Sequence, residues 1–297
     1  MMRLAELFST GGTDVASGPR PRDEELDLFG MTHRGLVRHE NQDHFLLATV
    51  NPQVIIHGTS LPSIDSLPLR GQRLATILMV ADGVGGGVAG EGASRLASET
   101  ITRYLASSIG CYHSVGPSRD RELLDALNTA ALEAHAAVRA ESEEKHGGAI
   151  NATTVTLGIV VWPWLYVVQV GDSRYYYYSG GKLRQVSRDQ TVAQDLVKQG
   201  LLTAAEARTS PFNNMLSSAI GGDNAMPVVT RVNVAERGSV QLVCTDGLTK
   251  HVTDAEIGDA LGSMTSAEQV TKDLVQLALD RGGRDNITVV VGRARKT

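Results

Sequence analysis

The chain has 297 residues, with 33 Asp plus Glu against 28 Lys plus Arg, a formal net charge of -5 and 42% hydrophobic content. That length suits one large domain or two small ones, with mass for a sizeable core. The acid excess, without a basic stripe, argues against a nucleic-acid binder. Two cysteines, Cys111 and Cys244, are too few for a disulfide framework and point to a reducing compartment. No apolar stretch is long enough to span a bilayer, and the first residues lack the layout of a secretory signal. The expectation is a soluble, cytoplasmic globular protein.

Residues 1–27 mix Gly, Pro and charge without periodicity and read as a flexible tail, with one domain over 28–297. Strands are expected at 29–33 and 43–50. Residues 51–72 carry three prolines and read as a long connecting loop, as at a hairpin tip. The run LATILMVA at 74–81 reads as a buried strand. Apolar residues at helical spacing predict helices over 93–105 and 119–145. Alternation at 153–162 and 165–178 predicts a hairpin turning at Pro163-Trp164, extended by 182–186. Thr203-x-x-Glu206, Thr253-x-x-Glu256 and Ser266-x-x-Gln269 mark helix starts. Strands at 228–234, 239–245 and 286–292 complete the order. Hairpin-connected strands outnumber helices, and the helices come in pairs. The pattern predicts an α+β layered domain with antiparallel sheets.

Three aspartates sit at strand ends beside sharp bends: Asp82-Gly83, Asp246-Gly247 and Asp285-Asn286. Asp43 and Asp172 lie in similar places. Any one of them is ordinary turn chemistry. Together they are apolar strands delivering carboxylates to their ends. Clustered carboxylates repel unless a cation neutralises them. Hard oxygen donors select Mg²⁺ or Mn²⁺, and no His/Cys set has zinc spacing.

The ordered motifs are Arg38-x-x-Asn41-Gln42-Asp43, Val80-Ala81-Asp82-Gly83-x-Gly85-Gly86, Ala152-Thr153-Thr154, Val170-Gly171-Asp172-Ser173-Arg174, Thr245-Asp246-Gly247-Leu248 and Gly283-Arg284-Asp285-Asn286-Ile287-Thr288. In this order they resemble the PP2C (PPM) metal-dependent protein serine/threonine phosphatases, bacterial branch. The resemblance implies a four-layer α-β-β-α sandwich, two antiparallel sheets flanked by pairs of helices. It also implies direct hydrolysis of phosphoserine or phosphothreonine by a metal-bridging hydroxide, with two Mn²⁺ or Mg²⁺ ions. By motif position Asp82 would bridge both metals and the Gly83 carbonyl would bind the second. Asp246 and Asp285 would hold the first, and Asp43 the second or its waters. Asp172, with Asp246, matches a third site. Arg38 matches the arginine that grips phosphate, a task suited to a bidentate guanidinium. The implied partners are phosphorylated proteins, among them a Ser/Thr kinase and its substrates. A flap is expected over 192–221.

Other readings compete. Gly85-Gly86-Gly87-Val88-Ala89-Gly90 matches G-x-G-x-x-G, but no acidic residue closes a second strand about 20 positions on, and Asp82 would repel a pyrophosphate. Cys244 precedes Lys250 by six positions, where a cysteine-nucleophile phosphatase needs arginine. It reads instead as a small buried strand residue. His33 and His39 read as surface or packing residues, with contact to substrate the alternative for His39. The Tyr175–Tyr178 run reads as packing and solvent-exposed rings, with alternate rings on opposite faces. A catalytically inactive binding module on the same fold is the alternative function. Pseudophosphatases lose metal-site aspartates, and Asp82, Asp246 and Asp285 are all present.

Overall fold

The computed structural model describes residues 19–53, 55–57, 59–60, 63, 65, 69–85, 88–108, 117–146 and 151–295. Cys111, Gly86-Gly87 and the first 18 residues of the expected tail lie outside them. The described strands form two antiparallel sheets. The first runs β1 (Leu26–His33), β11 (Ile287–Ala294), β10 (Val240–Cys244), β7 (Arg174–Ser179), β8 (Lys182–Gln185). The second runs β2 (Asp43–Val50), β3 (Ala75–Val84), β5 (Val155–Val161), β6 (Trp164–Val170), β9 (Val228–Asn233), with the short β4 (Ala152–Thr153) against the end of β3.

Three apolar clusters explain the layering. On β3, Ile77, Met79 and Ala81 face α1 (Val88–Ser107) and α2 (Pro117–His146), meeting Ala97, Ile101 and Leu127. The alternate residues Leu78 and Val80 face the other way, into a cluster with Leu165, Val243 and Val290 between the sheets. Both faces of β3 are therefore buried, which is why it reads as a continuous apolar run rather than an alternating one. The third cluster packs Leu242, Val289 and Val291 of the first sheet under α6 (Asp254–Ser263) and α7 (Ala267–Asp280). The result is the expected α-β-β-α sandwich. No described helix is long and apolar enough to cross a membrane.

The tyrosine run obeys the period of two: Tyr175 and Tyr177 enter the intersheet layer, Tyr176 and Tyr178 the helix-covered face. The expectation of exposed rings is corrected for Tyr175 to Tyr177, which are buried because both faces of β7 are covered. Each fully buried hydroxyl finds a polar partner: Tyr175 donates to Gln241 Oε1 at 2.7 Å and Tyr176 to Asp254 Oδ1 at 2.7 Å.

The caps form as read. Thr203 Oγ1 accepts from Glu206 N and Glu206 Oε2 from Thr203 N, opening α4 (Ala204–Thr209). Thr253 and Glu256 repeat the device on α6, and Ser266 Oγ accepts from Gln269 N on α7.

Two expectations shift, and the connecting loop holds as read. β1 opens at Leu26 rather than Phe29, preceded by a turn at Asp23–Glu25, so the tail boundary at 27 falls inside structured chain. Arg73 donates to the Pro21 carbonyl at 2.7 Å and Arg237 to Glu25 at 2.9 Å, which anchors that entry segment. The ends of the 51–72 loop are pinned by a Gln53–Arg70 bridge between the antiparallel neighbours β2 and β3. The other shift matters most. The expected strand 165–178 is two strands in different sheets, broken at Gly171-Asp172-Ser173. Gly171 takes φ +102°, and a Cβ there would stand 2.6 Å from the Thr154 side chain. The chain changes sheets at this point, and Asp172 is delivered to the gap between them.

Candidate active site

The site lies where the ends of β3, β10 and the approach to β11 meet, at one edge of both sheets. Asp43 and Asp82 are register partners on β2 and β3, so their side chains share a face. Asp43 is only 4% exposed. Its Oδ2 accepts from Thr245 Oγ1 at 2.8 Å and Thr288 Oγ1 at 2.6 Å, tying the second sheet to the first. Its Oδ1 is buried without a partner. Burial pushes the Asp43 carboxyl up to about 7; the two threonine hydroxyls oppose the rise, and the charges of Asp246 and Asp285 add to it. Asp82 is pushed well up by burial and then by Asp43, Asp246, Asp172 and Asp285. Its backbone is fixed by Thr153 and Thr154: Thr154 N and Thr153 Oγ1 donate to the Asp82 carbonyl at 2.9 and 2.8 Å.

Asp246 opens the short helix α5 (Asp246–Thr249) directly after β10. The next residue has to be glycine. A Cβ on Gly247 would lie 1.8 Å from the Asn286 carbonyl oxygen, so this is where the β10 end and the Asp285-Asn286 segment touch. Asn286 fastens a third segment. Its Nδ2 donates to the carbonyls of Arg34 (2.8 Å) and Glu40 (2.9 Å), and its Oδ1 accepts from Gln42 N at 2.9 Å. The 34–42 loop that carries Arg38 is thereby laid against Asp285.

Arg38 forks onto Asp285, Nε to Oδ1 at 2.8 Å and Nη2 to Oδ2 at 3.0 Å. Lys250 Nζ stands 2.5 Å from Asp246 Oδ2 and 3.0 Å from Asp285 Oδ2. Burial would raise Asp285, but Arg38 and Lys250 outweigh it and hold the carboxyl below its usual range. Asp172 is pushed up to about 7 by burial, Asp246 and Asp189, against the pull of Lys250. Arg174, in the same motif as Asp172, turns away and forks onto Asp189 with Nε–Oδ1 at 3.0 Å and Nη2–Oδ2 at 2.7 Å, a structural pair.

One cleft is lined by Arg38, Asp82, Gly83, Asp172, Asp246 and Asp285. Asp43 sits beneath them, in contact through its threonine partners rather than through the cleft wall. Cys244 is fully buried and burial raises its thiol, which is the packing role expected rather than that of a nucleophile. His33 and His39 do not line the cleft. Sequence reasoning missed several participants. Thr245 directly precedes Asp246 and Thr288 follows Asp285 by three residues, and neither position signals that the hydroxyl reaches Asp43. Lys250, six positions after Cys244, carries no local signal that it reaches both Asp246 and Asp285. Asn214 and Leu216 bring the expected flap to the cleft wall, and nothing local marks them.

Among the described residues, no three acidic, histidine or cysteine side chains stand as a preformed metal cage; Arg38 and Lys250 draw Asp285 and Asp246 to themselves. The donor set nevertheless fits hard divalent cations. The acids are all oxygen donors, Arg38 and Lys250 offset only part of their mutual repulsion, and Asp43 Oδ1 and Asp246 Oδ1 are buried with no hydrogen-bond partner.

A family profile described as protein phosphatase 2C matches residues 58–286. The chain belongs to that family. Members with curated names include the serine/threonine protein phosphatase PstP of Mycobacterium tuberculosis, 35% identical over 217 residues, 73% of this chain and 40% of the relative. The chain thus spans about two fifths of that relative's length. The serine/threonine phosphatase stp of Listeria welshimeri is 28% identical over 260 residues, covering 88% of this chain and 92% of the relative. Among solved PP2C structures, the M. tuberculosis PstP/Ppp crystal structure superposes with a TM-score of 0.72 at 30% identity, covering 91% of this chain and 99% of that one. The PstP catalytic domain in complex with two manganese ions superposes at 0.69, with 30% identity and coverage of 91% and 99%.

Proposed function

We propose that this chain is a divalent-metal-dependent phosphatase that hydrolyses phosphoserine and phosphothreonine in proteins. The observation that carries the reading is the convergence of Asp82, Asp172, Asp246 and Asp285 on one cleft with Asp43 beside Asp82 beneath it, and two buried carboxylate oxygens left without donors. Asp82, Asp246 and Asp285 would hold the core Mn²⁺ or Mg²⁺ ions, with Asp43 and the Gly83 carbonyl completing the second position and Asp172 available to a third. When bound, two such ions lower the pKa of a water and neutralise charge on the phosphoryl group.

The remaining work falls to the protein. Thr245 and Thr288 hold Asp43 with one oxygen bound and one free to ligate. Gly247 and Asn286 set the spacing of Asp246 and Asp285. Arg38 is half-exposed at the cleft wall, where its fork can pass from Asp285 to two phosphate oxygens. Asn214 and Leu216 narrow the cleft from the flap. The substrates in this reading are phosphoproteins, including a Ser/Thr kinase and its targets, in the cytoplasm.

The test is hydrolysis of p-nitrophenyl phosphate and of a phosphothreonine peptide with Mn²⁺, with and without EDTA. Turnover abolished by EDTA is expected. Asp246→Asn should lower kcat by at least ~100-fold, the scale of losing a key electrostatic group. No turnover with Mn²⁺ or Mg²⁺ would point instead to the inactive binding module, and EDTA-resistant turnover would remove the metal from the reading.

A further inference from the structure

Lys250 is the cation of the cleft to which the reading above gives no task. Its pairing with Asp246, four residues earlier on α5, would by itself be an ordinary helix-surface ion pair of little worth. Three observations set it apart. The ammonium is shared with Asp285, 35 positions away on the segment before β11. Its side chain is 36% exposed and lines the cleft with the acids. And it satisfies only one oxygen of Asp246, whose Oδ1 stays buried without a donor. One ammonium therefore binds together two carboxylates that come from different segments and that the family resemblance assigns to the same metal ion.

We propose that Lys250 is an internal counter-ion that competes with divalent cations for Asp246 and Asp285. It weakens metal binding and holds the two acids together when metal is scarce; the inference rests on the metal-dependent reading of this site. A metal ion held by both aspartates would lie within a few ångströms of the Oδ2 atoms on which the ammonium now sits. An ammonium and a dication so close repel in a partly dry cleft, so each weakens the other's hold on the two acids. Lysine suits the role. It is a compact charge on a flexible four-carbon stem, able to swing toward solvent when displaced. Arg38 also touches Asp285, but it is half-exposed and makes no contact with Asp246.

The experiment uses the full chain stripped with EDTA. Mn²⁺ is titrated calorimetrically into wild type, Lys250→Met and Lys250→Arg, with thermal melts of each form with and without Mn²⁺. Lys250→Met should bind Mn²⁺ at least about tenfold more tightly, and Lys250→Arg, which keeps the charge, within about threefold of wild type. The gain in Tm on saturation should be larger for Lys250→Met, since its metal-free form has lost the counter-ion. A Lys250→Met chain that is unfolded without metal and folds with it supports the proposal; one unfolded in both conditions overturns it. Equal or weaker Mn²⁺ affinity in Lys250→Met overturns it, as does equal tightening by Lys250→Arg. Tight wild-type binding with no change in Lys250→Met removes the lysine proposal alone, whereas no Mn²⁺ binding by any form removes both it and the metal reading.

Discussion

Gly247→Ala changes one hydrogen to a methyl group at the point where the Asp246 and Asp285-Asn286 segments touch. The added Cβ would stand 1.8 Å from the Asn286 carbonyl oxygen and 2.8 Å from its carbon, against a floor of 3.0 Å for real Cβ contacts. The Asp246 turn and the Asp285-Asn286 segment must therefore separate by at least about 1.2 Å, the difference between 3.0 and 1.8. Both obstacles are backbone, and neither can rotate away. Asp246 immediately precedes the glycine and Asp285 immediately precedes Asn286, so the displacement passes straight into the distance between the two carboxylates. Misplacing a reacting constellation by about 1 Å costs on the order of 100-fold in rate. Overpacking of this kind costs about 1–3 kcal/mol of stability, a drop in Tm of about 2–4 °C for each kcal/mol in a chain of this size. The assay is Mn²⁺-dependent p-nitrophenyl phosphate hydrolysis alongside a thermal melt. A folded Gly247→Ala protein with kcat reduced about 100-fold is expected. A folded variant within threefold of wild type would show that the contact does not set the spacing of the acids.

Arg38→Lys keeps the charge but loses the fork; forfeiting a charge-assisted hydrogen bond of about 1.5–3 kcal/mol should lower kcat/KM by about 10- to 150-fold, and an unchanged kcat/KM would remove Arg38 from phosphate binding. The acid cluster also sets a pH dependence. In the metal-free protein burial lifts Asp43 and Asp172 from the usual 3.8 to about 7. Between those values the folded chain keeps protons that the unfolded chain has released, so these groups make the metal-free protein less stable as pH rises through the window. Metal ions need the ionised carboxylates, so the gain in Tm on adding Mn²⁺ should grow from about pH 5.5 to about pH 8, and a flat gain would contradict the raised carboxyls.

Much of this protein was legible locally. The caps at Thr203, Thr253 and Ser266 depend on residues three positions apart and on nothing else. The apolar run of β3 and the aspartate at its end follow from burial and turn chemistry, both short-range. The order of the acidic motifs was likewise present in the linear chain. What local pattern could not decide was destination. Residues 165–178 are strand-like throughout, and only the pairing of β6 with β9 and of β7 with β10 shows that the chain leaves one sheet for the other at Gly171. The period-two rule assigned the tyrosines to alternate faces, but whether a face meets water depends on what the rest of the chain lays over it. The four-residue α5 was too short to leave a periodic signal.

The site divides in the same way. From sequence alone came the acids Asp43, Asp82, Asp172, Asp246 and Asp285 and the expectation that they share a pocket, because each is set at a strand end by its own neighbours. Only the tertiary structure decided that Asp43 lies beneath the others, held by Thr245 and Thr288 from more than 200 positions away, and that Lys250 stands between Asp246 and Asp285. Carboxylates can be placed by local chemistry, but their protonation, their partners and the cations they meet are fixed by through-space charge and burial, which have no linear signature.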